Sequence, residues 1–240
     1  QRNANLSDIY EAEIFLKRED LQMVRSYKIR GAYNKIRTID PELVTNGIVC
    51  ASAGNHAQGV AFSCSKLKIM GSIFMPVTTP RQKIEQVRMF GKEFIEIILT
   101  GDTFDAANSA AIAYAKENNK TFIPPFDDPK VMEGQGTIGR EILNQSKEPL
   151  DYIFVPIGGG GLASGLGAYI SQMSPDTKII GVEPGGAPCM KAAIENGGPV
   201  KLEHIDKFVD GAAVQLAGTH TYEVCRQVLD DIVVVPEGAV

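Results

Sequence analysis

Short runs rich in β-branched and aromatic residues alternate with longer segments of helical periodicity along most of this sequence. This alternation is typical of a mostly parallel sheet whose crossover helices cover both faces. We therefore predict an α/β protein with doubly wound, mostly parallel sheets. The predicted strands are residues 14–17, 47–51, 71–75, 93–99, 152–156, 178–183 and 232–235. The predicted helices are residues 28–36, 56–67, 80–90, 104–118, 131–145, 162–172 and 221–229.

Composition and charge narrow the class of protein. Of the 240 residues, 44% are hydrophobic and 22% are charged, and the net charge is −5. The charges are interspersed, which disfavours a nucleic-acid groove or an anionic-membrane patch. No apolar run approaches the roughly 20 residues of a membrane span. We therefore expect no nucleic-acid or membrane partner. The four cysteines form no C-x-x-C pair, so we expect reduced core thiols and a cytoplasmic location.

The sequence VPIGGGGLASG at positions 155–165 places four consecutive glycines between a predicted strand and a predicted helix. Without Cβ atoms a backbone can curl until successive N–H groups converge, and the helix end adds partial positive charge. This pattern favours a backbone cradle for a phosphate group. It differs from a nucleotide P-loop because no lysine follows the last glycine. The alternative is a permissive strand-to-helix turn without a ligand.

A second junction reads CASAGNHAQG at positions 50–59 and enters a helix whose first turn carries Asn55 and His56. Unpaired N–H groups from Ser52 to His56 are suited to holding a carboxylate. The alternatives are structural. Asn55 would serve well as an N-cap, and a single histidine more often satisfies a local hydrogen bond.

Lys28 lies at the start of a predicted helix, beside Ser26 and Tyr27. Most lysines are solvated surface residues. Near a phosphate cradle, however, burial and the helix dipole disfavour the ammonium form, and a neutral amine reacts with carbonyl compounds. An amine, a phosphate cradle and a carboxylate loop together suit an amino acid joined to a phosphorylated aldehyde. That aldehyde is pyridoxal 5′-phosphate.

The motifs SYKIRGA, SAGNHAQG and GGGGL, in this order, resemble the serine/threonine dehydratase family of fold-type II pyridoxal-phosphate enzymes. The resemblance extends over nearly the whole chain, including TPRQKIEQV at 79–87 and EGQGTIGREI at 133–142. It implies an architecture like that of the tryptophan synthase β subunit, with two lobes and the cofactor in the cleft between them. We expect a larger lobe of residues 1–49 and 121–240, a smaller substrate-loop lobe of residues 50–120, and a homodimer or homotetramer.

The resemblance implies roles for individual residues. Lys28 would bond covalently to the cofactor and then accept the Cα proton of the substrate as a general base. Tyr27 would pack beside the cofactor ring, its alternative being an ordinary core aromatic, and Asn55 would bind the phenolic oxygen of the cofactor. The remaining expected cofactor contacts are Gly158, Gly159, Gly160, Gly161, Leu162 and Gly211. The expected contacts to the substrate amino acid are Ser52, Ala53, Gly54, Asn55 and His56.

Several positions depart from the family pattern. Ala53 stands where racemases of the family carry a serine that acts as a second base, which disfavours racemisation. Glu183 resembles an acidic ligand of a cation site, but Cys189 stands near the place of a second carboxylate. We therefore predict no metal and expect Glu183 to be a strand-end carboxylate in solvent. The serine or threonine that faces the pyridine nitrogen follows Val240 in the family pattern, so the resemblance predicts an incomplete site.

The activity implied by the resemblance is the dehydration and deamination of L-threonine to 2-oxobutyrate and ammonia. The sequence TPRQKIEQV resembles the biosynthetic branch that feeds isoleucine synthesis more than the catabolic branch. A first alternative is a serine dehydratase or another β-eliminating or β-replacing enzyme of this fold type. Threonine synthases carry an acidic residue soon after the lysine, where this chain has Ile29. A second alternative, of a different class, is a non-catalytic phosphate- or nucleotide-binding module.

Overall fold

The computed structural model describes residues 1–239. The helices are α1 (Ala4–Tyr10), α2 (Lys28–Thr38), α3 (Asn55–Leu67), α4 (Arg81–Gly91), α5 (Phe104–Glu117), α6 (Pro129–Gln145), α7 (Gly161–Met173), α8 (Cys189–Asn196) and α9 (Thr219–Val228). The strands are β1 (Ile48–Ala51), β2 (Gly71–Met75), β3 (Ile95–Leu99), β4 (Thr121–Phe122), β5 (Tyr152–Pro156), β6 (Lys178–Pro184) and β7 (Asp231–Val235).

The first sheet is parallel and has the strand order β3-β2-β1-β4. Alternate residues of β1 face opposite sides of this sheet. Ile48 and Cys50 pack with α3 and α4, whereas Val49 and Ala51 pack with α5. Helices therefore cover both faces of this sheet, as the alternating pattern predicts.

The second sheet is also parallel and has the order β5-β6-β7. Ile153 and Val155 of β5 face a core built with α7 and α9. Tyr152, Phe154 and Val233 are exposed on the opposite face, with 59%, 66% and 42% of their surface accessible. In the described residues, helices thus cover one face of this sheet, which differs from the expectation of helices on both faces. As a result, residues along β5 alternate between buried and exposed.

The predicted strand at 14–17 is wrong. Phe15 makes only an isolated antiparallel bridge to Arg2, and the side chains of Phe15 and Leu16 are exposed. A β-rich run forms a sheet strand only where a partner strand lies alongside it. The short helices α1 and α8 and the two-residue strand β4 were not predicted.

Several element boundaries differ from the sequence-based expectation, and two of these differences have a clear local form. The strand expected at 93–99 begins at Ile95, because Lys92–Phe94 forms a 3-10 helix. Pro80 is the N-cap of α4 and not a residue of its first turn. Both differences arise at chain reversals, where hydrophobic periodicity carries little information.

Glycines bring three helices into backbone contact. A Cβ atom at Gly134 of α6 would lie 2.6 Å from the carbonyl oxygen of Arg30 in α2. A Cβ atom at Gly136 of α6 would lie 2.8 Å from the carbonyl oxygen of Gly165 in α7. Because α2 begins at Lys28 and α7 begins within the glycine run, α6 determines how these two helix starts lie relative to each other.

The four cysteines are free and buried, which confirms the expectation of core thiols. Within residues 1–239, no helix combines the length and the apolar character that a membrane crossing requires.

Candidate active site

A small cavity opens where the start of α2 meets the start of α7. Its free volume is about 30 Å³, roughly the room that one water molecule takes in the liquid. Its walls bring together the predicted lysine and the predicted phosphate cradle. The lining residues are Tyr27, Lys28, Phe126, Pro156, Gly158, Gly159, Gly160, Gly161, Leu162, Gly211 and Val214.

The amine of Lys28 is held inside this cavity region. Its Nζ donates a hydrogen bond to the carbonyl oxygen of Pro125 at 2.8 Å. The same atom lies 5.6 Å from the ring centroid of Tyr27 and 5.8 Å from that of Phe126. Burial lowers the pKa of Lys28 to about 8 and raises the pKa of Tyr27 to about 12. Near neutral pH, Lys28 therefore has an uncharged fraction far larger than that of an ordinary lysine, whereas the phenol of Tyr27 keeps its proton.

The glycine run curls in a way that other residues would not allow. Gly160 has a φ of 93°, in the left-handed region that favours glycine. A Cβ atom at Gly160 would lie 2.5 Å from Cε of Met190, and one at Gly161 would lie 2.8 Å from Cβ of Phe126. Among the described residues, none accepts a hydrogen bond from the N–H groups of residues 159–162. The run therefore presents free donors at the start of a helix, as an anion site requires.

In the loop before α3, some backbone N–H groups already have hydrogen-bond acceptors. Gly54 is the N-cap of α3, so the N-cap reading of Asn55 is wrong. The N–H of Ser52 donates to Phe74 O at 3.0 Å and that of Gly54 to Ser52 Oγ at 3.1 Å. The expectation of unpaired N–H groups throughout the loop is thus corrected, because Ser52 extends the ladder between β1 and β2. Within this loop, the N–H groups of Ala53, Asn55 and His56 have no acceptor among residues 1–239.

The side chain of His56 is buried and satisfies a local hydrogen bond. Its Nε2 lies 3.0 Å from the carbonyl oxygen of Ile123, so a neutral ring with a proton on Nε2 donates this bond. Burial, and then the charge of Lys28, lowers the pKa of His56 to about 3. Asn55 is exposed. A Cβ atom at Gly59 would lie 3.1 Å from the carbonyl oxygen of Lys28, so α3 passes directly beside the lysine.

The segment after β4 contributes residues that sequence reasoning missed. Pro125 accepts the hydrogen bond of the lysine amine, and the ring of Phe126 packs on the glycine run. The carboxylate of Asp127 accepts hydrogen bonds from the N–H groups of residues 219, 220 and 221 at 3.0, 2.8 and 3.1 Å, and so caps α9. The available signal was PPFDDP, an aromatic residue between prolines and acidic residues. It was overlooked because β4 is too short to show a strand period.

The loop VDGAAV places Gly211 and Val214 at the cavity. A Cβ atom at Gly211 would meet no atom within 4 Å, so protein packing alone does not require glycine there. The neighbouring Asp210 accepts a hydrogen bond from Lys83 Nζ of α4 at 2.8 Å. This exposed ion pair connects the TPRQKIEQV helix with a wall of the cavity.

A larger cleft, of about 320 Å³, lies beside the N-terminal segment. Its main charged groups already pair with one another. Arg30 Nε lies 2.7 Å from Glu19 Oε2, and Arg30 Nη1 lies 2.7 Å from Glu141 Oε1. Because these pairs leave no free nucleophile, we assign the chemistry to the smaller cavity, where an amine of lowered pKa faces free N–H donors.

Glu183 lies in the core, so the expectation of a carboxylate in solvent is wrong. Its side chain is completely buried, and its oxygens accept hydrogen bonds from the N–H groups of Met190 and Lys191, each at 2.8 Å. The start of α8 follows β6 closely and needs acceptors for these groups. Burial raises the pKa of Glu183 to about 7. Within the described residues, no three metal-ligating side chains are grouped.

Comparison with known proteins gives concordant matches. The sequence profile described as "pyridoxal-phosphate dependent enzyme" matches residues 1–240. The biosynthetic L-threonine dehydratases IlvA of Halalkalibacterium halodurans and Bacillus subtilis are each 57% identical over all 240 residues of this chain. The chain spans 58% and 57% of the length of these curated relatives.

Solved structures share the fold over nearly the whole chain. The processed form of threonine deaminase isoform 2 from Solanum lycopersicum superimposes with a TM-score of 0.94 at 45% identity, covering 97% of this chain and 67% of that one. Maize serine racemase superimposes with a TM-score of 0.93 at 31% identity, covering 100% of this chain and 71% of that one.

Proposed function

Because the chain belongs to the family of pyridoxal-phosphate dependent enzymes, we propose that it binds pyridoxal phosphate through Lys28 and converts L-threonine to 2-oxobutyrate and ammonia. One observation carries this proposal. A single cavity collects an amine of lowered pKa and a glycine run with free N–H donors. The two bacterial relatives are biosynthetic L-threonine dehydratases, which supports threonine as the substrate and a biosynthetic role, here the first step of isoleucine biosynthesis.

The residues present suit the cofactor chemically. The glycine run offers the N–H groups of residues 159–162 to a phosphate, and side chains there would fill the cradle. Lys28 offers an amine that loses its proton easily, as bonding to an aldehyde requires. Because the free volume is small, binding requires side chains that line the cavity to move.

Pyridoxal phosphate, when bound, accepts the electron pair that remains at Cα after a proton leaves. Lys28 Nζ would take that proton, since its lowered pKa suits a general base near neutral pH. The free N–H groups of residues 53, 55 and 56 would hold the substrate carboxylate and so orient the Cα–H bond. His56, neutral because of its low pKa, would not compete for the proton.

The roles of the individual site residues extend this proposal. Tyr27 and Gly211 would border the cofactor ring from two sides of the cavity. Asn55, exposed at the start of α3, one turn before the Gly59 that packs on the backbone of Lys28, would reach the phenolic oxygen of the cofactor. Residues 50–120, which contain β2, β3 and the second half of β1, would form the substrate-loop lobe. The homo-oligomeric state and the cytoplasmic location stay predictions.

The test is borohydride reduction of the purified protein with pyridoxal phosphate, followed by peptide mapping and by assays of threonine and serine turnover. We expect a pyridoxyl adduct on Lys28, together with 2-oxobutyrate and ammonia from threonine. Lys28→Arg should lose the adduct and the turnover of threonine, whereas Lys35→Arg, on the same helix, should retain the adduct and the turnover. An adduct on another lysine contradicts the assignment of Lys28. Turnover of serine alone favours a serine dehydratase, and the absence of any adduct favours a non-catalytic module.

A further inference from the structure

The carbonyl groups of the glycine run accept hydrogen bonds from four buried side chains. Cys189 Sγ of α8 donates to the carbonyl of residue 158 at 3.4 Å, and Thr221 Oγ1 of α9 donates to that of residue 159 at 2.6 Å. Cys225 Sγ of α9 lies 3.8 Å from the carbonyl oxygen of residue 160, and Ser164 Oγ of α7 lies 3.2 Å from that of residue 161. Each of these side chains has no solvent-accessible surface.

Peptide geometry links these bonds to the other side of the run. In a trans peptide, the carbonyl of one residue and the N–H of the next lie in one plane and point in opposite directions. A side chain that fixes the carbonyl of residue 158 therefore fixes the direction of the N–H of residue 159. The same holds for the three following peptides, so the four bonds together orient the N–H groups of residues 159–162. Those groups are the donors that have no acceptor in the described residues.

We propose that Cys189, Thr221, Cys225 and Ser164 are positioning residues that hold the phosphate cradle in its binding conformation from behind. This inference rests on the proposed function, because it takes the cofactor phosphate as the anion. A glycine run loses more conformational freedom on ordering than any other sequence. Four separate side-chain bonds to its carbonyls add that order in the protein itself, beside the backbone bonds that the carbonyls of residues 159 and 160 accept from the N–H groups of residues 218 and 164.

Thr221 carries the largest share of this effect. Its hydroxyl is a stronger donor than a thiol, and its bond is the shortest of the four. The hydroxyl also lies 3.2 Å from the carbonyl of Gly218, but its single proton goes to the nearer oxygen. The N–H of Thr221 donates to Asp127 at 3.1 Å. Thr221 is thereby held in place from the segment that also accepts the hydrogen bond of the lysine amine.

The test compares the affinity of cofactor-free protein for pyridoxal phosphate and for pyridoxal, which lacks the phosphate. Thr221→Val removes the hydroxyl but keeps the shape of the side chain. It should weaken pyridoxal phosphate binding about tenfold or more and change pyridoxal binding less than about twofold. Thr221→Ser, which restores a hydroxyl, should recover most of the affinity. Thr177→Val is the matched control, since Thr177 is buried and donates to Leu150 O at 2.7 Å away from the cavity.

The results distinguish a wrong positioning role for Thr221 from a wrong proposed function. If the parent protein takes up pyridoxal phosphate but Thr221→Val binds it equally well, or loses both ligands to the same extent, the positioning role is wrong. If the parent itself binds no pyridoxal phosphate, the proposed function is wrong and the inference falls with it.

A second pair of variants covers the case in which Thr221→Val does not fold. Ser164→Ala removes a hydroxyl that donates to a carbonyl of its own helix. Ser63→Ala on α3 is the matched control, because Ser63 Oγ also donates within its own helix, to Gly59 O at 2.7 Å. Ser164→Ala should weaken pyridoxal phosphate binding a few-fold and leave pyridoxal binding unchanged. Ser63→Ala should leave the ratio of the two affinities unchanged. Equal ratios in both variants would overturn the inference.

Discussion

Replacing Lys28 by methionine is expected to stabilise the protein in the absence of cofactor. Burial lowers the pKa of Lys28 from 10.5 to about 8. At about 1.4 kcal/mol for each tenfold change in proton affinity, the buried charge costs about 3 kcal/mol. Methionine removes this cost but leaves the carbonyl of Pro125 without its donor, which offsets about 1 kcal/mol. The free energy of unfolding should therefore rise by about 2 kcal/mol at pH 7.

The sign of the pH dependence follows from where the proton is bound. Below pH 8, both the folded and the unfolded state hold Lys28 protonated, and the full cost applies. Between pH 8 and 10.5 the folded state has released the proton and the unfolded state has not, so the parent gains stability as the pH rises. The advantage of Lys28→Met should shrink across this range, and above it the missing hydrogen bond to Pro125 should leave the variant less stable than the parent by about 1 kcal/mol.

Urea unfolding of cofactor-free parent and variant at a series of pH values measures this difference. Titration of the four buried cysteines cancels, because both proteins share them. Lys66→Met, on the exposed side of α3, is the control and should show no comparable gain. A variant that is less stable than the parent at pH 7, or an advantage that is the same at pH 7 and pH 10, would refute the reasoning.

Three further predictions concern the surroundings of the cavity. Gly160→Ala should destabilise the fold by at least about 2 kcal/mol in urea unfolding, from left-handed strain and a contact of 2.9 Å between the new Cβ and Cβ of Thr221. Gly197→Ala, with φ +76 and open space, should cost only the strain, and equal losses would exclude the contact. Arg30→Met should cost about 2 kcal/mol, since it leaves the partly buried carboxylate of Glu19 without its cation, whereas Glu141 keeps its ion pair with Lys17; an unchanged unfolding midpoint would contradict this. His56→Gln should remove the loss of about 3 kcal/mol that the parent suffers between pH 7 and pH 4, because the pKa of His56 falls from 6.5 to about 3 on folding. Parallel stability profiles of parent and variant in that range would be incompatible with this value.

Much of the fold could be predicted because its signals are local. The strands β2 and β5 occur at the predicted residues, and α7 begins one residue before its predicted start. Each strand is a short apolar run bounded by turn residues, and the glycine run marks the start of α7, so these signals lie within a few residues of the elements themselves. Residues 14–17 have the same composition as a strand, but whether a partner strand lies alongside them is a long-range property.

The candidate site could likewise be predicted only in part from the sequence. Lys28 and the glycine run could be assigned from residue type and position, and the structure places both at one cavity. The contribution of Phe126 could not, because it depends on β4, which has only two residues. The burial of Glu183 was also missed, because a carboxylate at a strand end is exposed unless a helix start such as α8 folds over it.

The motif EGQGTIGREI supports the site without lining the cavity. The N–H of Gly31, one turn beyond Lys28 in α2, donates to Gln135 Oε1 at 3.2 Å. Gly134 and Gly136 let α6 touch the backbones of α2 and α7. Each glycine weakens a helix by about 1 kcal/mol relative to alanine, a cost that local structure does not explain. Backbone contacts cannot repack as side chains do. Through α6 they fix the start of α2, which carries Lys28, relative to the start of α7, which carries the glycine run. The two starts lie 130 positions apart along the chain but line one cavity.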